Sequence, residues 1–313
     1  MAQATILGES IRQHDPDSVF IVFLCDKKVK EIDYTIIADE VIEVADIEAD
    51  FQELVLRYNI IELNTAIKPR AVQYLFEIKK ATNVIYLDPD IKIFKSLTRL
   101  YESLNSSSII LTPHIYTPIP IDNKKPGENT FLNYGIYNLG FIGLRNDEEA
   151  NRFAAWWKNR TYLKGYFNPS DGLFVDQLPI NHVPIFFNNV EILDDWGMNM
   201  APWNLHERFL SENDGKFVVN ETYDLVFYHF SSFRVDSNEL PLFHYDRFKL
   251  IDRPDLHNLY NMYNSEMKSK KHAFYQEFIC SYVSEREDYL EKLKKEEWKK
   301  RPFYKKIFRK KRK

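Results

Sequence analysis

Hydrophobic positions along the chain alternate between helical and strand-like spacing. Residues 2–13 place Ile6, Leu7 and Ile11 on one helical face, and residues 19–25 form an apolar run typical of a strand buried on both faces. Further helices are predicted at 50–58, 65–80, 97–104 and 147–163, and strands at 35–44, 84–87, 91–94, 108–111, 137–144 and 225–230. This alternation predicts an α/β fold in which helices flank a mostly parallel sheet.

Two regions depart from this rhythm. Residues 113–134 are rich in Pro and Asn and predict a long loop, which in a compact domain is usually functional. From residue 246 onward the spacing is helical. We therefore predict a main α/β domain at 1–245 and a helical extension at 246–313.

The composition excludes several kinds of protein. Only 9 of the 313 residues are Gly, and neither GxGxxG nor GxxxxGK[ST] occurs, so a glycine-rich phosphate cradle is absent. With only Cys25 and Cys280, the chain has neither a disulfide scaffold nor a cysteine-based zinc site. The longest apolar run, 19–25, is too short to span a bilayer, and no secretory leader is visible. We expect a cytoplasmic location.

The net charge of −4 is unevenly distributed. Residues 286–313 contain 14 Lys and Arg against 5 Asp and Glu, whereas the rest of the chain contains 28 against 41. Within 301–313, four apolar residues recur at helical spacing among the basic ones: Phe303, Tyr304, Ile307 and Phe308. This pattern predicts a helix on an anionic membrane surface, on the inner membrane face, with a disordered solubilising tail as the alternative. Nucleic acid is not expected as a partner, because the acidic body would repel phosphates.

The strongest local signal follows the predicted strand at 84–87. Asp88 and Asp90 are two residues apart, so in extended backbone their side chains point the same way, at the end of the strand where open α/β sheets bind ligands. Two carboxylates without thiolates favour Mn²⁺ or Mg²⁺. Such a cation is shared with substrate phosphates and would take the place of the missing glycine cradle.

Four segments together resemble one family of enzymes. YLDPDIKIF at 86–94 resembles the DxD segment of GT-A glycosyltransferases, most like the retaining enzymes of family eight and their bacterial relatives. Further resemblances, in the family's order, are Asn138-Leu139-Gly140 to an NxG strand, Asp176-Gln177 with Asn181 to a DQxxxN segment, and His229-Phe230-Ser231 to an HFxG segment. The resemblance covers residues 2–235 and implies a GT-A-like fold.

The resemblance also implies roles for individual residues. Asp88, Asp90 and His229 would be the metal ligands. The groups near the transferred sugar would be Gln177, Asp176 and Asn138 as catalytic residues, with Asn138 and Gly140 contacting substrate. Those toward the donor would be Lys68, Asp88, Asp90 and Arg234. The donor would be a nucleotide-diphosphate sugar, most often UDP-linked in the family, and the acceptor a glycan or a lipid-linked sugar.

Each residue also has a structural interpretation. Asn138 could satisfy strand-edge backbone groups, Asp176 could cap a helix, and His229 could be a hydrogen-bonded core residue. Lys68 and Arg70 could lie on a solvated helix face.

Three further substrate-binding candidates are Asp171, Trp203 and Asn204. Trp203 and Asn204 lie in the polar and aromatic stretch GMNMAPWNLHER, residues 197–208, which also contains Asn199, His206 and Arg208. Either Trp203 stacks on a sugar while Asn204 bonds its hydroxyls, or the stretch is a buried structural turn.

Three features depart from the family pattern. The strand that should precede the opening helix and help to bind the nucleotide base is missing, and we interpret this as truncation, because the neighbouring strand would otherwise be left unpaired. Ser232 stands at the usual Gly of HFxG. The downstream lysine that should hold a phosphate is not evident, and Arg234 is the nearest substitute.

The sequence therefore favours a metal-dependent glycosyltransferase. A sugar nucleotidyltransferase shares the α/β architecture but normally opens with a glycine-rich loop. A catalytically degenerate relative, acting as a binding or assembly subunit, is the non-enzymatic alternative.

Overall fold

A computed structural model describes residues 1–237, 239–240 and 245–300. The helices are α1 Ala2–His14, α2 Phe51–Arg57, α3 Ile60–Ala66, α4 Lys68–Glu77, α5 Thr98–Ser103, α6 Glu128–Tyr134, α7 Glu148–Lys164, α8 Val183–Phe186, α9 His257–Ser269, α10 His272–Tyr275 and α11 Ser281–Lys300. The strands are β1 Ile21–Leu24, β2 Glu40–Glu43, β3 Asn83–Leu87, β4 Ile91–Ile93, β5 Ile109–Leu111, β6 Phe141–Arg145, β7 Phe167–Asn168, β8 Leu173–Phe174, β9 Val190–Ile192, β10 Leu210–Asn213, β11 Lys216–Val219, β12 Tyr223–Asp224 and β13 Phe227–His229.

The central sheet has four strands in the order β3-β6-β5-β9. Because β6 is antiparallel to both β3 and β5, and β9 is parallel to β5, three strands run in one direction and only β6 runs in the other. A separate parallel pair, β1 and β2, lies nearer the start of the chain. The predicted α/β class and mostly parallel sheet are confirmed, with β6 as the exception.

Helices cover the central sheet on both faces. On one face, Val72 and Phe76 of α4 pack with Phe153 and Trp157 of α7 against buried β6 side chains. On the other face, α1 and α5 join a second cluster formed around the strands, with members that include Leu7, Ile11, Leu100, Ile110 and Phe141. Trp157 is fully buried, and truncating such a side chain typically costs about 3–5 kcal/mol of stability.

Several predicted elements differ in extent from the observed ones. Of the strand predicted at 19–25, only the part that forms β1 is observed as a strand. The stretch predicted at 35–44 is a 3₁₀ turn followed by β2. The helix predicted at 65–80 is two helices, α3 and α4, that meet at Ile67. The loop predicted at 113–134 contains α6 at its end, where Phe131 is buried.

The C-terminal helices pack onto the α/β body. Leu259, Tyr260, Tyr263 and Met267 of α9 are buried in one cluster with α1 and with the segment around β13, and the ring of Tyr263 stacks on Phe230 at 3.6 Å. Farther along, α11 packs against α2. The domain boundary at 245 remains a prediction, and the basic tail at 301–313 lies outside the described residues. Within the described part of the chain, no helix is long and apolar enough to cross a membrane.

Candidate metal and donor site

A tight turn joins β3 to β4 and presents the paired carboxylates. The Ile91 amide donates to the Asp88 carbonyl at 3.0 Å, which closes a four-residue turn with Pro89 in its second position, where the fixed φ of proline suits the turn. The Asp88 amide donates to the Gly140 carbonyl at 2.7 Å and so continues the β3–β6 ladder by one residue. The turn is therefore anchored on the sheet.

His229 lies beside the two carboxylates although it is far from them in the sequence. It lies in β13, which pairs with β4 so that His229 is opposite Ile91. Its Nε2 atom is 3.0 Å from Asp90 Oδ1. Ligand atoms of Asp88, Asp90 and His229 all lie within 4.8 Å of one another. Two carboxylate oxygens and one imidazole nitrogen are a donor set that fits Mn²⁺ or another divalent cation.

The charges of Asp90 and His229 stabilise each other, as expected in a site that binds a cation. Burial by itself would raise the pKa of Asp90, but the imidazolium of His229 outweighs it and lowers that pKa. Burial likewise works against charge on His229, but the adjacent Asp90 carboxylate raises its pKa. Each member of the pair thus favours the charged form of the other, and metal binding at such a site is expected to depend on pH.

Lys68, the first residue of α4, links two of the carboxylates. Its Nζ atom donates to the Leu139 carbonyl at 2.9 Å and lies 3.3 Å from Asp88 and 3.2 Å from Asp176. Burial opposes its charge, yet the two carboxylates raise its pKa. Burial also raises the pKa of Asp176, to about 6, despite the nearby ammonium. Lys68 is therefore inside the site rather than on a solvated face, and Asp176 pairs with it instead of capping a helix.

Tyr86 also belongs to this cluster and was not among the predicted site residues. Its hydroxyl donates to Asp88 Oδ1 at 2.5 Å, and its ring lies 4.7 Å from the Lys68 ammonium. Burial raises the pKa of the phenol well above its usual range, so the hydroxyl is a permanent donor. The two-residue spacing from Asp88 places both side chains on one strand face, which is the signal that could have identified it.

Gln177 connects the segments around the site through backbone contacts. Its Oε1 atom accepts from the Leu139 amide at 3.0 Å, and its Nε2 atom donates to the Tyr134 carbonyl at 2.7 Å. Nearby, Asn181 accepts from the Ile136 amide at 2.8 Å. The predicted DQxxxN segment thus lies directly beside the predicted NxG segment, and both ends of the Gln177 amide are occupied.

Gly140 is required by the position of His229. A Cβ atom at Gly140 would lie 2.4 Å from His229 Cε1 and 2.9 Å from Asn138 Oδ1. Asn138 Oδ1 lies 3.3 Å from His229 Nδ1. The NxG segment therefore packs directly against the imidazole ring of His229.

The 197–208 stretch follows the structural interpretation. Asn204 is fully buried: its Oδ1 accepts from the Ala201 amide at 2.9 Å, while its Nδ2 donates to the carbonyls of Asn199 and His114 at 2.9 and 3.1 Å. Trp203 is 5% exposed, and its ring packs edge-on against His114 and His229. Neither side chain offers a free face to a sugar, because both are buried in packing and hydrogen-bond contacts behind His229.

The remaining candidates lie farther out. Asp171 is exposed at the tip between β7 and β8, where it accepts from Asn168 Nδ2 at 2.7 Å. Arg234 is exposed a few residues beyond β13, and Ser232 adopts a left-handed backbone (φ 59°) that usually favours glycine. Arg70 donates to the Ile47 carbonyl at 2.9 Å and lies 3.2 Å from Glu77, which accounts for its charge on the side of α4.

The fold and the site together define an α/β protein with a candidate divalent-metal centre at the sheet edge. No protein-family model matches the chain. It is 27% identical over 264 residues to the uncharacterized protein YfnF of Bacillus subtilis (strain 168), covering 82% of this chain and 86% of that protein. It is 26% identical over 190 residues to the uncharacterized protein YfnD of the same strain, covering 58% of this chain and 57% of YfnD.

Among solved structures, the chain is similar to glycosyltransferases. One is the galactosyltransferase LgtC in complex with donor and acceptor sugar analogs, at 15% identity and a TM-score of 0.40, covering 64% of this chain and 72% of that one. Another is mouse xyloside xylosyltransferase 1, at 12% identity and a TM-score of 0.40, covering 73% and 91%. These are partial likenesses of chain path, and they assign no activity to this protein.

Proposed function

We propose that the protein is a metal-dependent glycosyltransferase that moves a sugar from a nucleotide-diphosphate sugar to an acceptor hydroxyl. The observation that carries this proposal is the convergence of Asp88, Asp90 and His229 on one point, with ligand atoms within 4.8 Å of one another. The four segments that resemble GT-A glycosyltransferases are spread over residues 86–231, yet they contact one another around this point.

Different residues of the chain would hold the cation, orient its ligands and contact the diphosphate. The bound cation would neutralise the negative charge that develops on the diphosphate as the glycosidic bond breaks. Asp88, Asp90 and His229 would hold it, while Tyr86 and Lys68 orient the Asp88 carboxylate. Arg234, exposed beyond β13, would contact the diphosphate in place of a lysine.

Asp176 is the group we propose to bind the transferred sugar. Its carboxylate is paired with Lys68, which also contacts the candidate ligand Asp88, so we place the transferred sugar beside this lysine, where Asp176 would accept a hydrogen bond from a sugar hydroxyl. We place the acceptor between Gln177 and the exposed Asp171. A UDP donor, Mn²⁺ as the cation and retention of configuration are the finer parts of the proposal, supported by the motif resemblance.

The decisive variant is Asp90→Asn, which keeps the shape of the side chain but removes a charged ligand. We expect Mn²⁺ binding to be lost and Mn²⁺-dependent release of free nucleoside diphosphate, measured over a panel of nucleotide sugars, to fall by about a thousandfold, because Lewis-acid stabilisation contributes several kcal/mol. Asp236→Asn, in an exposed ion pair with Lys268, is the matched control and should leave both measurements unchanged.

Three results would contradict the proposal. Full Mn²⁺ affinity in a folded Asp90→Asn protein would refute the metal site. Release of pyrophosphate would identify a nucleotidyltransferase instead. Metal and donor binding without turnover of any nucleotide sugar in the panel would favour the degenerate binding subunit.

We further propose that residues 301–313 bring the protein to an anionic membrane surface that presents a lipid-linked acceptor. A protein ending at residue 300 should lose sedimentation with vesicles containing anionic lipid while keeping its activity on a soluble acceptor. Equal sedimentation of the two proteins would remove the membrane part and leave the transferase proposal intact.

A further inference from the structure

A row of three polar side chains lies behind the metal-facing edge of His229. His114 Nδ1 is 3.1 Å from the Ile136 carbonyl oxygen. His114 Nε2 is 3.3 Å from Asn138 Nδ2. Asn138 Oδ1 is in turn 3.3 Å from His229 Nδ1. The row thus runs from a backbone carbonyl to a candidate metal ligand, and its side chains are all buried.

The chemistry of the first member determines every later one. A carbonyl oxygen only accepts, so His114 Nδ1 must carry a proton and donate it to Ile136. In a neutral imidazole the other nitrogen is then an acceptor, so it faces the NH₂ group of Asn138 and not its oxygen. The Asn138 oxygen is left to accept, and the atom that donates to it is Nδ1 of His229.

The surroundings keep His114 neutral and fixed. Burial lowers its pKa to about 4. Its ring packs at 5.0 Å on Phe131 and at 5.3 Å on Trp203, and its backbone is held by hydrogen bonds to Ile136 and Asn204. Trp203 also packs at 5.0 Å on His229, so the same indole holds both rings. These contacts therefore oppose a flip of the His114 ring that would exchange the positions of its two nitrogens.

We propose that His114 and Asn138 are positioning residues that fix His229 as the Nδ1–H tautomer, so that its Nε2 lone pair is presented to the cation. Metal-binding histidines are generally oriented by such a second contact, and removing it typically weakens metal affinity by about 10- to 100-fold. This inference rests on the metal part of the proposed function and gives Asn138 a role distinct from sugar contact.

The test uses His114→Phe in the full-length protein. Phenylalanine keeps the ring contacts with Phe131 and Trp203 but cannot bond to Asn138, whose amide is then free to rotate and present either end to His229. We expect the Kd for Mn²⁺, measured by calorimetry, to rise by about 10- to 100-fold. His182→Phe is the matched control: this histidine stacks on Phe186 and contacts the Pro179 carbonyl, away from the row.

A second measurement reads the tautomer directly and needs no variant. Long-range ¹H–¹⁵N spectra of the wild-type protein should show His114 as a neutral imidazole with its proton on Nδ1 and its lone pair on Nε2. Nε2–H at His114 in the wild type, or an unchanged Mn²⁺ Kd in folded His114→Phe, would overturn the inference. If the wild type binds no Mn²⁺, the proposed function fails, while the tautomer spectra still decide whether the row of hydrogen bonds exists.

Discussion

The ligand cluster after β3 and the loop at 197–208 both carry polar side chains near His229 but use them in opposite ways. In the ligand cluster, the side chains of Asp88 and Asp90 are 27% and 20% exposed and keep unshared oxygens. In the loop, Asn204 is completely buried, and both ends of its amide are hydrogen-bonded to backbone groups of Ala201, Asn199 and His114. A polar group is available to a ligand only where it is both partly exposed and not fully hydrogen-bonded, as Asp88 and Asp90 are and Asn204 is not.

The comparison predicts a large effect on metal binding from a residue with no polar side chain. In Gly140→Ala the new methyl group would lie 2.4 Å from His229 Cε1, so the imidazole must move away from Asp90. We expect Mn²⁺ affinity to fall by at least about tenfold and unfolding free energy by about 1–3 kcal/mol. Calorimetry and chemical denaturation measure the two quantities.

Gly143→Ala is the control for that experiment. It lies in β6, three residues farther along the chain, and its methyl group would meet Ile110 Cβ at 3.2 Å, far from the ligands. We expect some loss of stability and normal Mn²⁺ affinity. If the two alanine variants weakened Mn²⁺ binding equally, the contact between Gly140 and His229 would not be the cause.

The opposite pattern is expected in the loop, with a smaller effect on metal binding. Asn204→Ala removes three buried hydrogen bonds and leaves their backbone partners unsatisfied, so unfolding free energy should fall by about 2–4 kcal/mol. Mn²⁺ affinity of the folded variant should change by less than about threefold, because its contact with His114 is through the backbone carbonyl. Asn213→Ala, at an exposed strand end, should change stability by less than about 0.5 kcal/mol. Lost Mn²⁺ binding at normal stability would place Asn204 in the site after all.

Sequence reasoning worked best where the signal was local. Helices α1 and α7, and strands β3, β4 and β13, were predicted within a few residues, because each carries its own hydrophobic period. The turn chemistry of Asp88-Pro89-Asp90 was likewise predictable from three adjacent residues. The break at Ile67 was missed although the sequence signals it, because Pro69 lies in the first turn of α4, where proline is typical of a helix start.

The sequence by itself determined the α/β class and the pairing of two carboxylates at a strand end, because strand geometry turns a two-residue spacing into a shared direction. Only the tertiary structure decided which distant groups join them. It placed Tyr86 and Lys68 on Asp88, enclosed Trp203 and Asn204, and aligned His114 behind His229 through Asn138. These contacts arise between elements far apart in the chain, and no local pattern specifies which nitrogen of a buried imidazole carries its proton.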